Sequence, residues 1–318
     1  MELVTRKTTE LSQNELEQLK VLFEEVFDRP TSVEGFLKSY TSNYLGYSYH
    51  SLIIRDNIIV GSNSLVPINY CVDGKVLKFV NSGGTMIGKT CRGIENFYDL
   101  IKESYRNAES EGFIACTGFP NDNSYPLFKG IKLMKDIGKM HTYMLPYRIG
   151  GVRKKLVCLN ILSRLFCWCY VDICGMLASK ETVKFKIHKD HGTFDDYRYK
   201  KAGEAYISLK IGNGKAYYRI ANHEGVRTAF IVDVTEKSAR NFQRTVMEIL
   251  KRDKKNIDLV LYVGNLPFGK HGLIKLPRKY EPKNFYFTGH IFNDKVIDKS
   301  VFYNIDNWDV NLSNYDLI

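Results

Sequence analysis

The sharpest chemical pattern in the chain lies at 79–97, FVNSGGTMIGKTCRGIENF. Thr85, Met86 and Ile87 end a β-rich run, Arg92-Gly93 forms a loop, and Ile94, Glu95 and Asn96 open a helix. A helix start offers unbonded backbone N–H groups and a partial positive charge, which suit a pyrophosphate. Gly93 lets the backbone approach such a group and Arg92 adds charge. An ordinary strand-to-helix turn would use the same residues, and Glu95 favours any helix start. A second polar run, Thr117 to Ser124, follows a short apolar strand. There Asn121 to Ser124 can cap a further helix.

No metal chemistry is legible. The seven cysteines include four within 158–174, at Cys158, Cys167, Cys169 and Cys174, without a C-x-x-C pair or a nearby C-x-x-H. They read as small hydrophobes buried on a helix. The odd count and a leading sequence without an apolar signal segment imply a reducing, cytoplasmic setting. The formal charge is +11, and 14 basic against 6 acidic residues fall between Arg148 and Lys215. That local excess suits an anionic partner: a CoA or nucleotide diphosphate, nucleic acid, or a lipid headgroup. A solvated basic face explains it equally well.

The elements that must hold these residues follow from periodicity. Ser12 and Glu15 form a capping box, and Leu16, Leu19, Leu22, Val26 and Phe27 then recur at helical spacing, so 13–28 is an amphipathic helix. A short helix over 33–41 follows. Runs at 50–55, 58–69 and 76–88 are strands, separated by Asp56-Asn57 and by a Val72-to-Lys75 turn. A helix over 94–110, a strand over 113–118, a helix over 124–130 and a strand over 133–148 complete the first half. Three antiparallel strands leading into a strand–helix–strand crossover is a mixed α/β order, not a doubly wound one.

Residues 153–178 are the most apolar stretch, but Arg164 and Asp172 interrupt it and no uncharged run reaches about 18 residues, so a spanning helix is not expected. It reads as a buried or interfacial linker helix. The alternative is a membrane-surface helix aided by Arg153-Lys154-Lys155, at the inner face of the membrane. Beyond it, strands at 204–211, 215–221 and 226–233, a helix over 236–253 capped by Thr235 and a strand at 257–263 repeat the order of the first half. The expected organisation is a lobe over 1–150, a helical and basic linker over 151–203 and a second lobe over 204–318.

Element order and the 79–97 pattern together resemble the GNAT N-acetyltransferase superfamily. In that family the fourth strand runs into an Arg/Gln-x-x-Gly-x-Gly/Ala loop that cradles the CoA pyrophosphate. Thr85-Met86-Ile87 matches the strand end and Arg92-Gly93 the loop start, while Glu95 and Phe97 stand where the family has small residues. The resemblance implies an acetyl-CoA contact along Thr85, Met86, Ile87, Arg92, Gly93, Ile94 and Asn96. It further implies a pantetheine site beside a splayed strand at Thr117, Asn121 and Ser124. It also implies a tyrosine acid on the following helix. Phe128 is the nearest match and Tyr125, one turn earlier, is the substitute. Candidate bases are Glu34 and His141, the latter on the last strand of the first lobe; water is the alternative base. The run GFPN-x-x-S resembles members linked to bacterial surface polysaccharides. Val232 to Thr235, the second lobe's strand–helix junction, lacks the Arg-Gly pair, so that lobe is expected not to bind CoA.

The leading functional expectation is an acetyl-CoA-dependent N-acetyltransferase whose acceptor is a primary amine, such as a nucleotide- or lipid-linked amino sugar. Two alternatives stand beside it. One is a Fem-like aminoacyl transferase using aminoacyl-tRNA, disfavoured because no long coiled-coil arm is visible. The other is a non-catalytic binding protein on a degenerate GNAT fold. The polar and aromatic run from Trp308 and Asp309 to Asn314-Tyr315-Asp316 either closes over a substrate cleft or frays.

Overall fold

Hairpin turns and one parallel crossover set the architecture of the computed structural model, which describes residues 1–201 and 206–315. The chain divides into two compact units that are interleaved in sequence. The first takes 1–139, 186–203 and 284–307, and the second takes 140–185, 204–283 and 308–318. The contiguous division expected above therefore does not describe the units.

In the first unit, strand β1 (Glu2–Lys7) precedes helices α1 (Gln13–Phe27) and α2 (Val33–Thr41). Strands β2 (Tyr49–Arg55), β3 (Ile58–Val72) and β4 (Lys75–Ile87) then form an antiparallel meander. Its turns have the left-handed residues that two-residue hairpins require: Asp56 and Asn57 at φ 52° and 62°, Asp73 and Gly74 at 46° and 80°. Helix α3 (Ile94–Ser110) crosses to β5 (Ala115–Gly118), which pairs with β4 in parallel. Helix α4 (Tyr125–Ile131) and strand β6 (Lys135–Lys139) follow.

The second unit opens with β7 (His141–Leu145), α5 (Ile149–Val152) and, after a 3₁₀ segment at Lys154–Leu159, α6 (Asn160–Leu177). The chain returns to the first unit for β8 (Ile187–Lys189) and α7 (His191–Asp195). Strands β9 (Ile207–Ile211), β10 (Gly214–His223) and β11 (Val226–Val234), helix α8 (Ala239–Asp253), and strands β12 (Leu259–Gly264) and β13 (Ile274–Lys275) complete the second sheet. Last come β14 (Tyr286–Ile291) and α9 (Lys299–Phe302), again in the first unit. The start of the expected 204–211 strand lies outside the described residues.

The sheet orders are β1-β2-β3-β4-β5-β14-β6, with β8 along the far half of β3, and β13-β7-β12-β11-β10-β9. Two corrections follow. The strand expected over 133–148 divides at Met140: β6 pairs with β14 in one sheet and β7 with β12 and β13 in the other. Alternation marks both halves as strand but is silent on partners. The exchange is reciprocal, since β14 lies between β5 and β6 just as β7 lies between β12 and β13. The second correction concerns the apolar helix. It is not buried: Cys167, Val171, Cys174 and Gly175 pack inward, while Cys158 and Cys169 are exposed.

One face of the first sheet carries Leu16, Leu19 and Leu22 of α1 with Phe36 and Tyr40 of α2. Another cluster joins Phe97, Ile101 and Tyr105 of α3 to Val80, Cys116 and Phe128. The Ser12 hydroxyl accepts the Glu15 N–H, and the Glu15 carboxylate accepts the Ser12 N–H at 2.8 Å, so the capping box is present. On β2, His50 is fully buried between the Thr8 and Ser64 hydroxyls, each at 2.9 Å from a ring nitrogen. Burial lowers its pKa from 6.5 to about 3. The unfolded chain therefore binds a proton at a pH where the folded chain does not. The contribution of His50 to stability should fall by about 1.4 kcal/mol per pH unit between about pH 6.5 and 3, and level off below. Urea unfolding across that range should show a flatter pH dependence for His50→Gln than for the parent; equal slopes would sink the assignment.

Candidate functional site

The crossover of the first unit builds a gap. Strands β4 and β5 pair from Phe79↔Ala115 to Ser82↔Gly118, and there the pairing stops. Beyond it β4 continues to Ile87, whereas β5 turns away through Phe119, whose ring stacks on Phe287 of β14 at 5.0 Å. At the mouth of the gap Gly84 and Thr85 oppose the single residue Asn63, a β-bulge that leaves one residue of β4 outside the ladder. Asn63 holds this bulge from beneath. Its Oδ1 accepts the Thr85 hydroxyl at 2.7 Å and the Ser82 hydroxyl at 3.1 Å, and its amide donates to Ser104 at 2.9 Å. Gly84 adopts φ +60°, and a Cβ there would lie 2.2 Å from the Tyr40 hydroxyl. A tyrosine hydroxyl thus abuts the bulge.

After β4 the loop is fastened at three points. The Gly88 N–H bonds the Val60 carbonyl at 2.8 Å, the Lys89 N–H bonds the Glu25 carboxylate at 2.8 Å, and the Asn96 amide bonds the Cys91 carbonyl at 2.7 Å. Arg92 and Gly93 stand exposed on this fixed support. The first intrahelical bond of α3 runs from the Phe97 N–H to the Gly93 carbonyl, so the N–H groups of Ile94, Glu95 and Asn96 precede the helical ladder. A Cβ on Gly93 would meet nothing within 4 Å. Phe97 does not crowd this loop: it is buried, its ring edge-on to Phe128 at 5.0 Å. The Glu95 carboxylate is exposed in the first turn.

The remaining expected residues are placed as follows. Thr117 is buried on β5, and its hydroxyl has no hydrogen-bond partner among the described residues. The Asn121 side chain accepts the Asn123 and Ser124 N–H groups, and the Ser124 hydroxyl accepts the Asn121 N–H. These two side chains therefore build the turn into α4. Met86 is fully buried against α1 and α2, and Ile87 is half-buried. The Tyr125 ring stacks on Tyr286 at 3.7 Å, and its hydroxyl donates to Asp136 at 3.0 Å, beside Lys129. Burial, and then the Asp136 carboxylate, raise its pKa. Glu34 lies exposed in the first turn of α2.

His141 corrects the expectation that put it in the first lobe. It stands on β7 in the second unit, with Nδ1 3.3 Å from Glu281 and Nε2 3.1 Å from Arg278. Burial, then Arg278 and Lys275, lower its pKa. Tyr40 and Asn63 were not singled out from sequence. A tyrosine in an amphipathic helix and an asparagine in a strand carry no local signal; only the register of β3 on β4 brings them to the bulge. An open groove of about 400 Å³ lies elsewhere in this unit, lined by Glu103, Arg106, Glu109 and His290, among others; none of its lining residues belongs to the gap.

The second unit has the matching crossover with a different content. Strands β11 and β12 pair in parallel from Thr228↔Leu259 to Ile231↔Tyr262. Beyond that point the gap is filled by the chain itself. Asn311 bridges to Gly264, the Asn265 N–H bonds the Val310 carbonyl at 3.1 Å, and the Asn311 amide donates to Asp233 at 2.8 Å. Lys237 is buried between Asp309, to which it donates, and Asp233 at 3.6 Å. Trp308, Val310 and Leu312 are buried beside them. The run from Trp308 to Tyr315 is thus neither a frayed end nor a lid; Asp316 lies outside the described residues.

No protein-family model matches the chain, and no curated protein does. Solved structures match its fold. A GCN5-related N-acetyltransferase from Anabaena variabilis aligns with a TM-score of 0.60 at 13% identity, covering 91% of this chain and 73% of its own. One from Kribbella flavida gives 0.58 at 9% identity, over 91% and 71%. A conserved Enterococcus faecalis protein of unknown function, a probable N-acyltransferase, gives 0.56 at 14% identity, over 92% and 73%. At these identities the likeness is one of fold. The parallel crossovers, the splayed strand pairs and the match over nine-tenths of the chain agree: this protein has the two-lobed fold of the GCN5-related N-acetyltransferases.

Proposed function

We propose that the first unit is an acyl-CoA-dependent N-acyltransferase that modifies a primary amine. The observation that carries this reading is the contrast between the two crossovers. The gap in the second unit is filled by residues 308–314, whereas in the first unit the bulge and the Arg92-Gly93 loop border a gap that no other segment pairs into among the described residues. These residues fit the carrier. Arg92 and the first N–H groups of α3 would hold its pyrophosphate, and the backbone of β4 and β5 freed beyond Ser82 and Gly118 would bond its amide-bearing arm.

Bound acetyl-CoA supplies a thioester already activated for attack by an amine. The chain's part is to orient that carbonyl at the bulge of β4, to offer it a backbone N–H and the Tyr40 hydroxyl, and to exclude water. Tyr125 is a poor acid in this arrangement, because its proton is held by Asp136. An amino sugar is the acceptor class the sequence resemblance supports.

Calorimetry with acetyl-CoA, paired with thiol release in the presence of amino sugars and other primary amines, tests the reading. Binding at micromolar to submillimolar concentration and amine-dependent thiol release are expected. Absence of heat and of thermal shift at millimolar ligand would refute it. The exposed Glu95 favours a second reading, in which a degenerate fold has lost CoA and binds another ligand or partner without catalysis. Glu95→Gln removes a like charge beside the phosphates and should tighten CoA by a few-fold, whereas Arg92→Glu should weaken it more than tenfold. If the parent binds nothing and Glu95→Gln binds, the second reading is right.

A further inference from the structure

We propose that α6 is a membrane-docking helix that lies in the plane of an anionic bilayer surface. This rests on the second unit alone and is independent of the acyl-transfer reading. One face of α6 belongs to the protein: Cys167, Val171 and Cys174 are buried, and the Gln243 amide of α8 bonds the Val171 carbonyl at 3.0 Å. At about 100° per residue these positions share one side of the helix. The opposite side holds Ile161, Leu162, Leu165, Phe166, Ile173 and Met176, all exposed, with Ile161 at 68% and Met176 at 77%. Those six span an arc of about 140°.

In a water-facing helix this would be the charged face. Here its only charge is the exposed Asp172, which falls within the arc between Ile161 and Leu165. Apolar patches of this extent are rare on surfaces that face only water.

Charge identifies the occupant. Exposed Arg153, Lys154 and Lys155 stand before the helix, and exposed Lys180 and Lys184 follow it. Between 153 and 185 there are six basic and two acidic residues. The helix is about 27 Å long. Both of its ends therefore present cations while its length presents hydrocarbon, which is the pattern that sits at the boundary between headgroups and acyl chains. A second copy of this chain would bring the same cations to the same ends and gain nothing from them. By length and composition the segment Lys154–Leu177 could also cross a bilayer. Its packed face, fastened to α8, commits it to lie along the surface instead.

The test is flotation of the full chain with vesicles of phosphatidylcholine alone or mixed with phosphatidylglycerol. Flotation with the anionic vesicles is expected, weakening as salt rises. The pair Leu165→Glu and Phe166→Glu, both exposed positions, should lower vesicle-bound protein at least tenfold with an unchanged melting temperature. Replacing Lys154 and Lys155 with glutamate should lower it by several-fold. Absence of flotation, flotation indifferent to Leu165→Glu and Phe166→Glu, or equal partition onto phosphatidylcholine would overturn the proposal. So would a dimer in light scattering that these substitutions dissolve without any vesicle binding.

Discussion

Asp309→Ala should destabilise the second unit by about 3–5 kcal/mol, the range for breaking a buried ion pair on one side. Lys237 is about 2% exposed, Asp309 4% and Asp233 fully buried, so water cannot replace the lost carboxylate. Asp233 compensates only in part. Its Oδ1 already accepts the Asn311 amide and the Val234 N–H, and it stands 3.6 Å from the ammonium. The loss should lower the melting temperature by about 10 °C. Hydrogen exchange should localise it, with faster exchange at the ends of β11 and β12 and unchanged protection in α3 and β4. A loss below about 1 kcal/mol would mean that the cluster is solvated. Exchanging the charged groups together, Lys237→Met with Asp309→Leu and Asp233→Asn, should recover much of the loss, because no ion is then left buried alone.

That cluster marks what the sequence could and could not convey. Asp233, Lys237 and Asp309 are separated by up to 76 positions, and each alone reads as a surface residue. Only the splay of β11 from β12 assembles them. The local elements were legible because their signals are local: Ser12 with Glu15 for α1, Asp56-Asn57 and Asp73-Gly74 for the hairpins, and Gly93 at the start of α3. The mixed order of strands and the crossover gave the fold class. Long-range pairing was hidden. A five-residue strand such as β6 or β7 carries a period and no address, so the division at Met140 and the placing of β14 beside β5 could not be derived.

The same distinction separates the parts of the candidate site. Arg92-Gly93 was visible as a motif. Glu95 and Phe97 looked equally disruptive in sequence, yet only Glu95 faces solvent, since Phe97 turns into the core. Tyr125 was chosen by helix position, and its stacking on Tyr286 depends on the unforeseen β14. For α6, the buried half of the buried-or-interfacial reading fails for a related reason. Its composition is that of a buried helix, but only one of its faces has a folded neighbour.

Gly84→Ala should lower amine-dependent thiol release by about a hundredfold while leaving CoA affinity within a few-fold. The added methyl sits at φ +60°, where a side chain other than glycine costs about 1–3 kcal/mol, and 2.2 Å from the Tyr40 hydroxyl. One of the two must move. Tyr40 has little room, because its ring packs against Phe36 at 4.6 Å and His50 at 4.8 Å, and its carbonyl accepts the Ser48 hydroxyl. The bulge would therefore flatten, shifting the backbone that orients the thioester; a displacement of about 1 Å can cost a hundredfold. The pyrophosphate loop has its own fastenings at Val60, Glu25 and Cys91, so ground-state binding should survive. Tyr40→Phe supplies the decisive comparison. The Tyr40 ring carbon lies 3.4 Å from the added methyl, so removing the hydroxyl relieves the clash and leaves only the φ strain. In urea unfolding the double variant should be more stable than the sum of the single changes predicts. If the thiol-release rate of Gly84→Ala equals that of the parent, the bulge does not orient the reacting group. If CoA affinity falls in step with the rate, the bulge and the phosphate loop are one structure rather than two.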